Sequence, residues 1–217
     1  MRPTSSMRTV LTMNRRRTSL LLSFCGLLLA AVAVALGADN LWDDQRAGAE
    51  AESALKKIVQ HRETAAEMPS QEASPEPTPD PDREMPVLEM DGYRCIGTIS
   101  IPVINVELPV QDSWSPSLLK ASPCCYKGTV YRGDLIICAH NYATHFGRLK
   151  NLLPGDEVIF TDIDGNEYRY TVTEMDTLSG TAVEEMESGQ WDLTLFTCTL
   201  EGRTRVTVRC DLTESVC

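Results

Sequence analysis

Basic residues are scarce in this sequence: 20 lysines and arginines stand against 31 aspartates and glutamates, giving a net charge of −11 and a pI near 4.7. Nucleic-acid binding depends on clustered Lys and Arg, so this composition argues against a nucleic-acid partner. Glycine and proline are also few, at 13 and 12 of 217 residues, and 42% of the chain is hydrophobic. A collagen-like chain and a wholly disordered chain are therefore excluded.

Only one long apolar run is present, TSLLLSFCGLLLAAVAVALG at residues 18–37, and it holds no charge. A helix of this length rises about 30 Å, the thickness of the hydrocarbon core of a bilayer. Arg15, Arg16 and Arg17 precede it directly, and positive residues stay on the cytoplasmic side. The pattern predicts a cytoplasmic basic tail at 1–17 and a single-pass transmembrane signal anchor at 18–37, with the remainder extracellular. A cleaved signal peptide is the alternative, because small residues end the run.

The next segment, residues 38–88, holds twelve acidic and five basic residues. Its first part, residues 41–66, has a weak, mostly alanine stripe at helical spacing. Its second part has six prolines between residues 69 and 86, which favours an extended spacer over a packed core. We interpret residues 38–88 as an acidic, partly helical and Pro-rich stalk, and residues 89–217 as the folded catalytic domain.

Helical patterns are scarce in residues 89–217, whereas short runs rich in β-branched and aromatic residues are frequent. These runs lie at residues 93–99, 104–110, 134–140, 157–161, 167–175, 193–198 and 203–210. Seven such runs in this length favour a β-sandwich or a closed barrel. An Asp-Gly pair within residues 162–166 is typical of a tight hairpin turn. Short helices are predicted at 114–121, 146–152 and 181–188.

Eight cysteines are many for an exported protein, in which thiols tend to pair as disulfides. Cys25 lies in the apolar run, and the other seven are an odd number, so at least one thiol has no partner within the chain. Cys198 draws attention because it ends the run TLFTC, and six residues lead from it to Arg205. If the two strands form a hairpin, Cys198 and Arg205 share a groove.

These motifs resemble those of the sortases, the cell-wall transpeptidases of Gram-positive bacteria. TLFTC matches the TLxTC motif of the family, Arg205 follows on the next strand, and His140 in Ala-His-Asn ends an apolar strand. The resemblance covers about residues 93–212, and it extends to the signal anchor and the acidic linker. It implies a mainly β fold, a sortase-like closed barrel of seven to eight short strands with a few short helices, preceded by one transmembrane helix.

The resemblance also implies that His140, Cys198 and Arg205 are catalytic. A neighbouring cation lowers the pKa of a thiol, and the thiolate is the competent nucleophile. Cys198 would form a thioester with a peptide carbonyl, while His140 would protonate the departing amine and deprotonate the incoming one. Arg205 would hold the oxyanion or substrate carbonyls. The implied substrate is a secreted protein with a C-terminal sorting motif such as LPxTG, joined to an amine of a cell-wall precursor or of a pilin.

Each of the three residues also has a structural interpretation. Cys198 could be a buried thiol or half of a disulfide, and His140 could be a core histidine, with His145 as its nearest rival. Arg203 and Arg209 compete with Arg205, and either could lie on a solvated strand face.

No cofactor or metal is expected. His140 and His145 lack a third nearby ligand for a metal site. Asp162, Asp164 and Glu167 lack the spacing of an EF-hand, so calcium binding is unsupported.

The sequence therefore predicts a membrane-anchored cysteine transpeptidase. Two alternatives stay open: a hydrolytic cysteine protease with the same site, and a catalytically silent sortase-like binding or scaffold module. The subclass of sortase, the sorting motif, the acceptor amine and the oligomeric state are not predicted.

Overall fold

The computed structural model describes the backbone of residues 5–67, 80–90, 92–199 and 202–216, and the side chains from residue 19 onward except 65–67. Most of the Pro-rich part of the predicted stalk, the side chains of the arginines before the apolar run and Cys217 lie outside the described residues. The chain divides into two compact units, Met1–Asp43 and Asp44–Cys217. Helix α1 (Ser5–Glu67) contributes residues to both units.

The first unit holds the apolar part of α1. The helical segment Ser19–Thr64 contains an 18-residue window with a mean hydropathy of 2.5, and none of that window is buried. By length and composition, the helix is therefore long and apolar enough to cross a membrane once. The orientation of the span stays a prediction, as does its retention after export.

The second unit is built on a nine-stranded sheet with two further short helices, α2 (Leu118–Ala121) and α3 (Val183–Met186). The strands are β1 (Leu88–Met90), β2 (Tyr93–Ile101), β3 (Val106–Gln111), β4 (Cys124–Lys127), β5 (Leu135–Ala139), β6 (Glu157–Asp162), β7 (Glu167–Ser179), β8 (Leu193–Cys198) and β9 (Thr204–Val216). Their order is β1-β2-β3-β4-β5-β8-β9-β7-β6, and β6 also pairs with β2. This last pairing closes eight strands into a barrel, with β1 added outside it. The predicted mainly β closed barrel is confirmed.

Side-chain patterning explains the barrel. Buried and less buried residues alternate along β6 and the first half of β7, so one face of each strand points into the core. β5 is buried at all five positions. The largest fully buried apolar side chains of the barrel include Tyr170, Phe146 and Phe160. All seven predicted strands are present, whereas β1 and β4 were not predicted.

The short helices lie close to their predicted positions. α2 and α3 fall within two of the predicted segments, and a 3₁₀ helix, Phe146–Asn151, occupies the third. A second 3₁₀ helix, Pro102–Ile104, joins β2 to β3. The predicted turn after β6 has Gly165 at φ +95°, and its N–H donates to the Asp162 carbonyl over 3.2 Å. Glycine adopts this left-handed backbone without steric cost.

Within the second unit, the part of α1 from Ala47 to Arg62 packs against the barrel. Ala47, Ala51, Ala54 and Ile58 recur at helical spacing and are at most 4% exposed. Near the end of the helix, Arg62 donates from Nη2 to two backbone carbonyls at the end of β6, over 2.8 and 2.6 Å. These small side chains let the helix approach the sheet closely. The second compact unit accordingly begins at Asp44, within the residues that the sequence assigned to the stalk.

Candidate active site

Cys198 is the last residue of β8, and its direct neighbour across the β8–β9 ladder is Arg205. The connection between the strands is closed by two backbone hydrogen bonds, from Thr199 N–H to the Thr204 carbonyl (3.0 Å) and from Gly202 N–H to the Thr199 carbonyl (2.8 Å). The hairpin that the sequence predicted is therefore present, and it brings the thiol and the guanidinium to the same edge of the barrel.

His140 reaches that edge from a different part of the chain. β5 runs parallel to β8, and Ala139 is paired with Thr197. His140, the first residue after β5, therefore lies beside Cys198, the last residue of β8. Adjacent strands lie about 4.8 Å apart. The register thus brings together all three residues that the sequence singled out.

The two threonines of the TLFTC run hold this arrangement in place. The buried Thr197 hydroxyl donates to the Ala139 carbonyl over 2.8 Å, which ties β8 to β5 immediately before the two site residues. The buried Thr194 hydroxyl accepts a 3.0 Å hydrogen bond from Arg209. The motif predicts the position of Cys198, and the structure shows in addition that both threonines hold β8 through buried hydrogen bonds.

The three arginines of the β9 region have different environments. Arg205 is half-buried, and its Nη1 donates to the carbonyls of Gly202 and Thr204, both over 3.1 Å. Arg203 is exposed. Arg209 is 2% exposed and donates to the carbonyls of Glu185 and Met186 over 2.7 and 3.1 Å.

Arg209 is thus not on a solvated face. It anchors α3, and its guanidinium also lies 4.4 Å from the centre of the Trp191 ring. Its two Nη atoms donate to the two α3 carbonyls, and its buried Nε makes no hydrogen bond to the described residues but lies 4.0 Å from Oδ2 of Asp176, so Arg209 is a structural residue. Arg205 is the arginine that faces the thiol.

The two histidines after β5 also differ. His140 is half-buried, and its ring stacks on that of Tyr142 at 4.6 Å and 18°. His145 is fully buried. Burial, and next the charge of His140, lower the pKa of His145 to about 4, while Asp44 and the backbone of Ala47 offset part of this shift. His145 is therefore neutral at neutral pH.

Two cavities meet at Cys198. The first, of about 650 Å³, is lined mainly by polar and basic residues, among them Asn141, Arg148, Lys150 and Thr199. The second, of about 280 Å³, is lined largely by apolar residues, among them Trp114, Tyr126, Phe196, Val183 and Met186, and Arg205 is at its edge. The three aromatic rings form a chain, with centres 5.9 Å apart for Trp114 and Tyr126 and 5.4 Å apart for Tyr126 and Phe196.

The sequence did not predict that Trp114, Tyr126 and Phe196 lie together, because Phe196 is distant along the chain from the other two.

The other thiols of the barrel are poor nucleophiles. Burial raises the pKa of Cys95 and Cys125 to about 11 and that of Cys124 to about 12. It also raises the pKa of Cys138 and Cys210. Every cysteine within the described residues is a free thiol, and Cys198 is the one that opens on both cavities. The described part of the chain contains no group of three or more His, Cys, Asp or Glu residues that could hold a metal ion.

A family model described as the sortase domain matches residues 99–213. Among curated proteins, the chain is 31% identical over 115 residues to Sortase A of Bacillus anthracis, a match that covers 50% of this chain and 54% of the relative. It is 31% identical over 119 residues to Sortase A of Listeria monocytogenes, covering 50% and 51%. The chain thus spans about half the length of the curated relatives that it matches.

Solved structures give the same picture of the fold. The crystal structure of Listeria monocytogenes sortase A aligns with a TM-score of 0.51 and 25% identity, over 56% of this chain and 88% of that one. A Clostridium perfringens Sortase D5 transpeptidase aligns with a TM-score of 0.52 over 76% of this chain and 96% of that one. The second match has 18% identity and therefore supports the fold alone.

Proposed function

Since the chain belongs to the sortase family, as the domain match over residues 99–213 shows, we propose that it is a membrane-anchored cysteine transpeptidase of the cell surface. The observation that carries the proposal is the position of Cys198, which pairs with Arg205, lies beside His140 and opens on both cavities. A transpeptidase needs one nucleophile within reach of two substrates. A binding module has no such requirement.

In the first half of the reaction, the Cys198 thiolate attacks the carbonyl carbon of the scissile peptide bond. The tetrahedral intermediate collapses to a thioester, and the C–N bond breaks. His140, as imidazolium, donates a proton to the departing amine. In the second half, neutral His140 takes a proton from the incoming amine, which attacks the thioester. The new amide leaves, and the Cys198 thiolate is regenerated.

Arg205 stabilises the charge that develops in both halves. Its two hydrogen bonds to backbone carbonyls fix the guanidinium at the hairpin, directly across from Cys198. A positioned, permanently charged donor is worth most where negative charge grows on a carbonyl oxygen. Arg205 would therefore bind the oxyanion or an adjacent substrate carbonyl.

The different linings of the two cavities suit different substrates. The aromatic and aliphatic lining of the second cavity suits the apolar side chains of a sorting motif such as LPxTG. The described residues that line the first cavity include Arg148 and Lys150 and no carboxylate, so it would take the acceptor as a neutral amine, with anionic or polar groups of the acceptor against the basic side chains. The donor would be a secreted protein with that motif, and the acceptor an amine of a cell-wall precursor or of a pilin. The reaction as written needs no cofactor.

The test uses the full chain in detergent, as wild type, Cys198→Ala and Cys125→Ala. Each protein is incubated with a panel of sorting peptides, with and without an amine acceptor, and analysed by intact mass. We expect a peptide adduct on the wild type and on Cys125→Ala, released as an amide when amine is present, and no adduct on Cys198→Ala. Cys125→Ala controls for loss of a barrel thiol outside the site.

Two results would contradict the proposal. Release of the adduct only as a carboxylic acid, at every amine concentration, would identify a hydrolytic cysteine protease. Absence of any adduct, together with alkylation of Cys198 no faster than that of a model thiol, would identify a silent binding module.

A further inference from the structure

The loop that follows His140, residues 141–145, is held by helix α1 as well as by the barrel. The two carboxylate oxygens of Asp44 accept the backbone N–H groups of Ala143 and Thr144 over 3.2 and 3.0 Å. The Thr144 hydroxyl donates to the Asp44 carbonyl over 3.0 Å and also contacts its carboxylate. One side chain of α1 therefore binds two successive residues of the loop.

These contacts favour the charged form of Asp44. Burial acts to raise the pKa of this carboxyl group, but the hydrogen bonds from Thr144 and Ala143 outweigh it and leave the pKa lowered. Hydrogen bonds to an ionised acceptor are stronger than those between neutral groups. The contact is also close: a Cβ at Gly48 would lie 2.9 Å from Cγ2 of Thr144.

From this contact, a short chain of interactions leads back to His140. The carbonyl of Tyr142 accepts from the N–H groups of His145 and Gly147 over 3.0 and 2.9 Å, and the His140 carbonyl accepts from Phe146 N–H over 3.2 Å. The Tyr142 ring is buried and stacks on the His140 ring. A shift of the loop at Ala143 would therefore move the ring against which His140 is oriented.

The same loop is a wall of the first cavity: Asn141 and Ala143 line it together with Cys198 and with Gly147 of the following 3₁₀ helix. The helix that holds the loop is itself fixed to the barrel. Ile58 is fully buried, and Arg62 binds two carbonyls at the end of β6.

We propose that Asp44 is a positioning residue, which sets the orientation of His140 and the shape of the first cavity through its hydrogen bonds to Ala143 and Thr144. This inference rests on the proposed transpeptidase function. Proton transfer needs the imidazole within hydrogen-bond reach of the reacting amine, and a misplacement of about 1 Å can cost about 10²-fold in rate. The sorting peptide is assigned to the second cavity, which Asp44 does not line. Loss of the Asp44 side chain should therefore change kcat and the KM for amine rather than the KM for peptide.

The experiment compares the full chain in detergent as wild type, Asp44→Ala, Asp44→Asn and Glu52→Gln. Glu52 is an exposed carboxylate on the same helix, paired with Lys56 over 2.7 Å, and its substitution removes the same charge while the hydrogen bonds of Asp44 to the loop are kept. Transfer of a sorting peptide to an amine is measured against pH, with kcat, the KM for peptide and the KM for amine determined separately.

We expect Asp44→Ala to lower kcat by about tenfold or more, to raise the KM for amine and to leave the KM for peptide within about twofold of wild type. Asp44→Asn retains one acceptor oxygen and should recover part of kcat. The limb of the pH profile that reports His140 should shift in Asp44→Ala. Glu52→Gln should behave as wild type.

Wild-type kcat and an unshifted pH profile in Asp44→Ala would overturn the positioning role alone. The same holds if activity falls only in proportion to the folded fraction, measured by intrinsic fluorescence in the same samples. A wild type that forms no acyl-enzyme would overturn the proposed function, and the role of Asp44 with it.

Discussion

His145 gives the folded domain a dependence on pH whose size follows from the structure. The ring is fully buried, and burial, followed by the charge of His140, lowers its pKa from 6.5 to about 4. Between pH 6.5 and about 4 the unfolded chain therefore binds a proton at this residue that the folded barrel does not. Above pH 6.5 this histidine does not change the free energy of unfolding. The free energy of unfolding falls as the pH drops from 6.5 to about 4, and below pH 4 the histidine causes no further loss.

The magnitude comes from the two pKa values. One pKa unit corresponds to about 1.4 kcal/mol, so the full loss is about 3 kcal/mol once both states are protonated. From the same two pKa values, the loss of unfolding free energy is about 1 kcal/mol at pH 6 and about 2 kcal/mol at pH 5. This is a large share of the stability of an ordinary domain, which is about 5–15 kcal/mol.

The assay is urea unfolding of the full chain in detergent, followed by tryptophan fluorescence at pH 8, 6 and 5. His145→Gln removes the titrating group, and we expect the free energy of unfolding to fall less with pH in this variant than in wild type, by about 2 kcal/mol between pH 8 and 5. His61→Gln removes an exposed histidine of α1 and should keep the wild-type pH dependence.

Parallel loss of stability in wild type and His145→Gln would refute this reasoning. It would mean that His145 binds its proton equally well in the folded and unfolded states, and hence that its ring is not held neutral by burial. The absolute stability of His145→Gln at pH 8 does not enter, because only the change with pH reports the titration.

Substitutions at three further positions test the packing of the barrel. Thr197→Val removes the buried hydrogen bond to Ala139 and should cost about 1–3 kcal/mol in urea unfolding, while Thr197→Ser should retain most of the stability. Arg209→Met leaves two carbonyls of α3 without a donor; we expect a loss of about 3 kcal/mol and a raised KM for peptide, and an unchanged unfolding curve would speak against the anchoring role. Gly97→Ala would place a Cβ 2.2 Å from a backbone oxygen of β6, so thermal unfolding should report about 1–3 kcal/mol of destabilisation; an unchanged melting temperature would contradict the close β2–β6 approach.

The strands that the sequence predicted are those with a complete pattern. Seven runs were apolar or alternating over at least five residues, and all seven are strands. β1 has three residues and β4 has four, which is too short to show a period. The pairing of Cys198 with Arg205 was also predictable, because a hairpin is local and its register depends on a short connection.

The sequence by itself determined the barrel class, the single apolar segment and the candidate triad, since each depends on local patterning or on a motif. The tertiary structure decided which polar residues are buried. Arg209 and His145 have the sequence context of a solvated strand and of a loop, yet both are buried because distant segments cover them. It also decided that Asp44, more than ninety residues before the loop, binds Ala143 and Thr144. Periodicity shows which side chains are apolar, but the partner of a polar group is set by the closure of the barrel and the packing of α1.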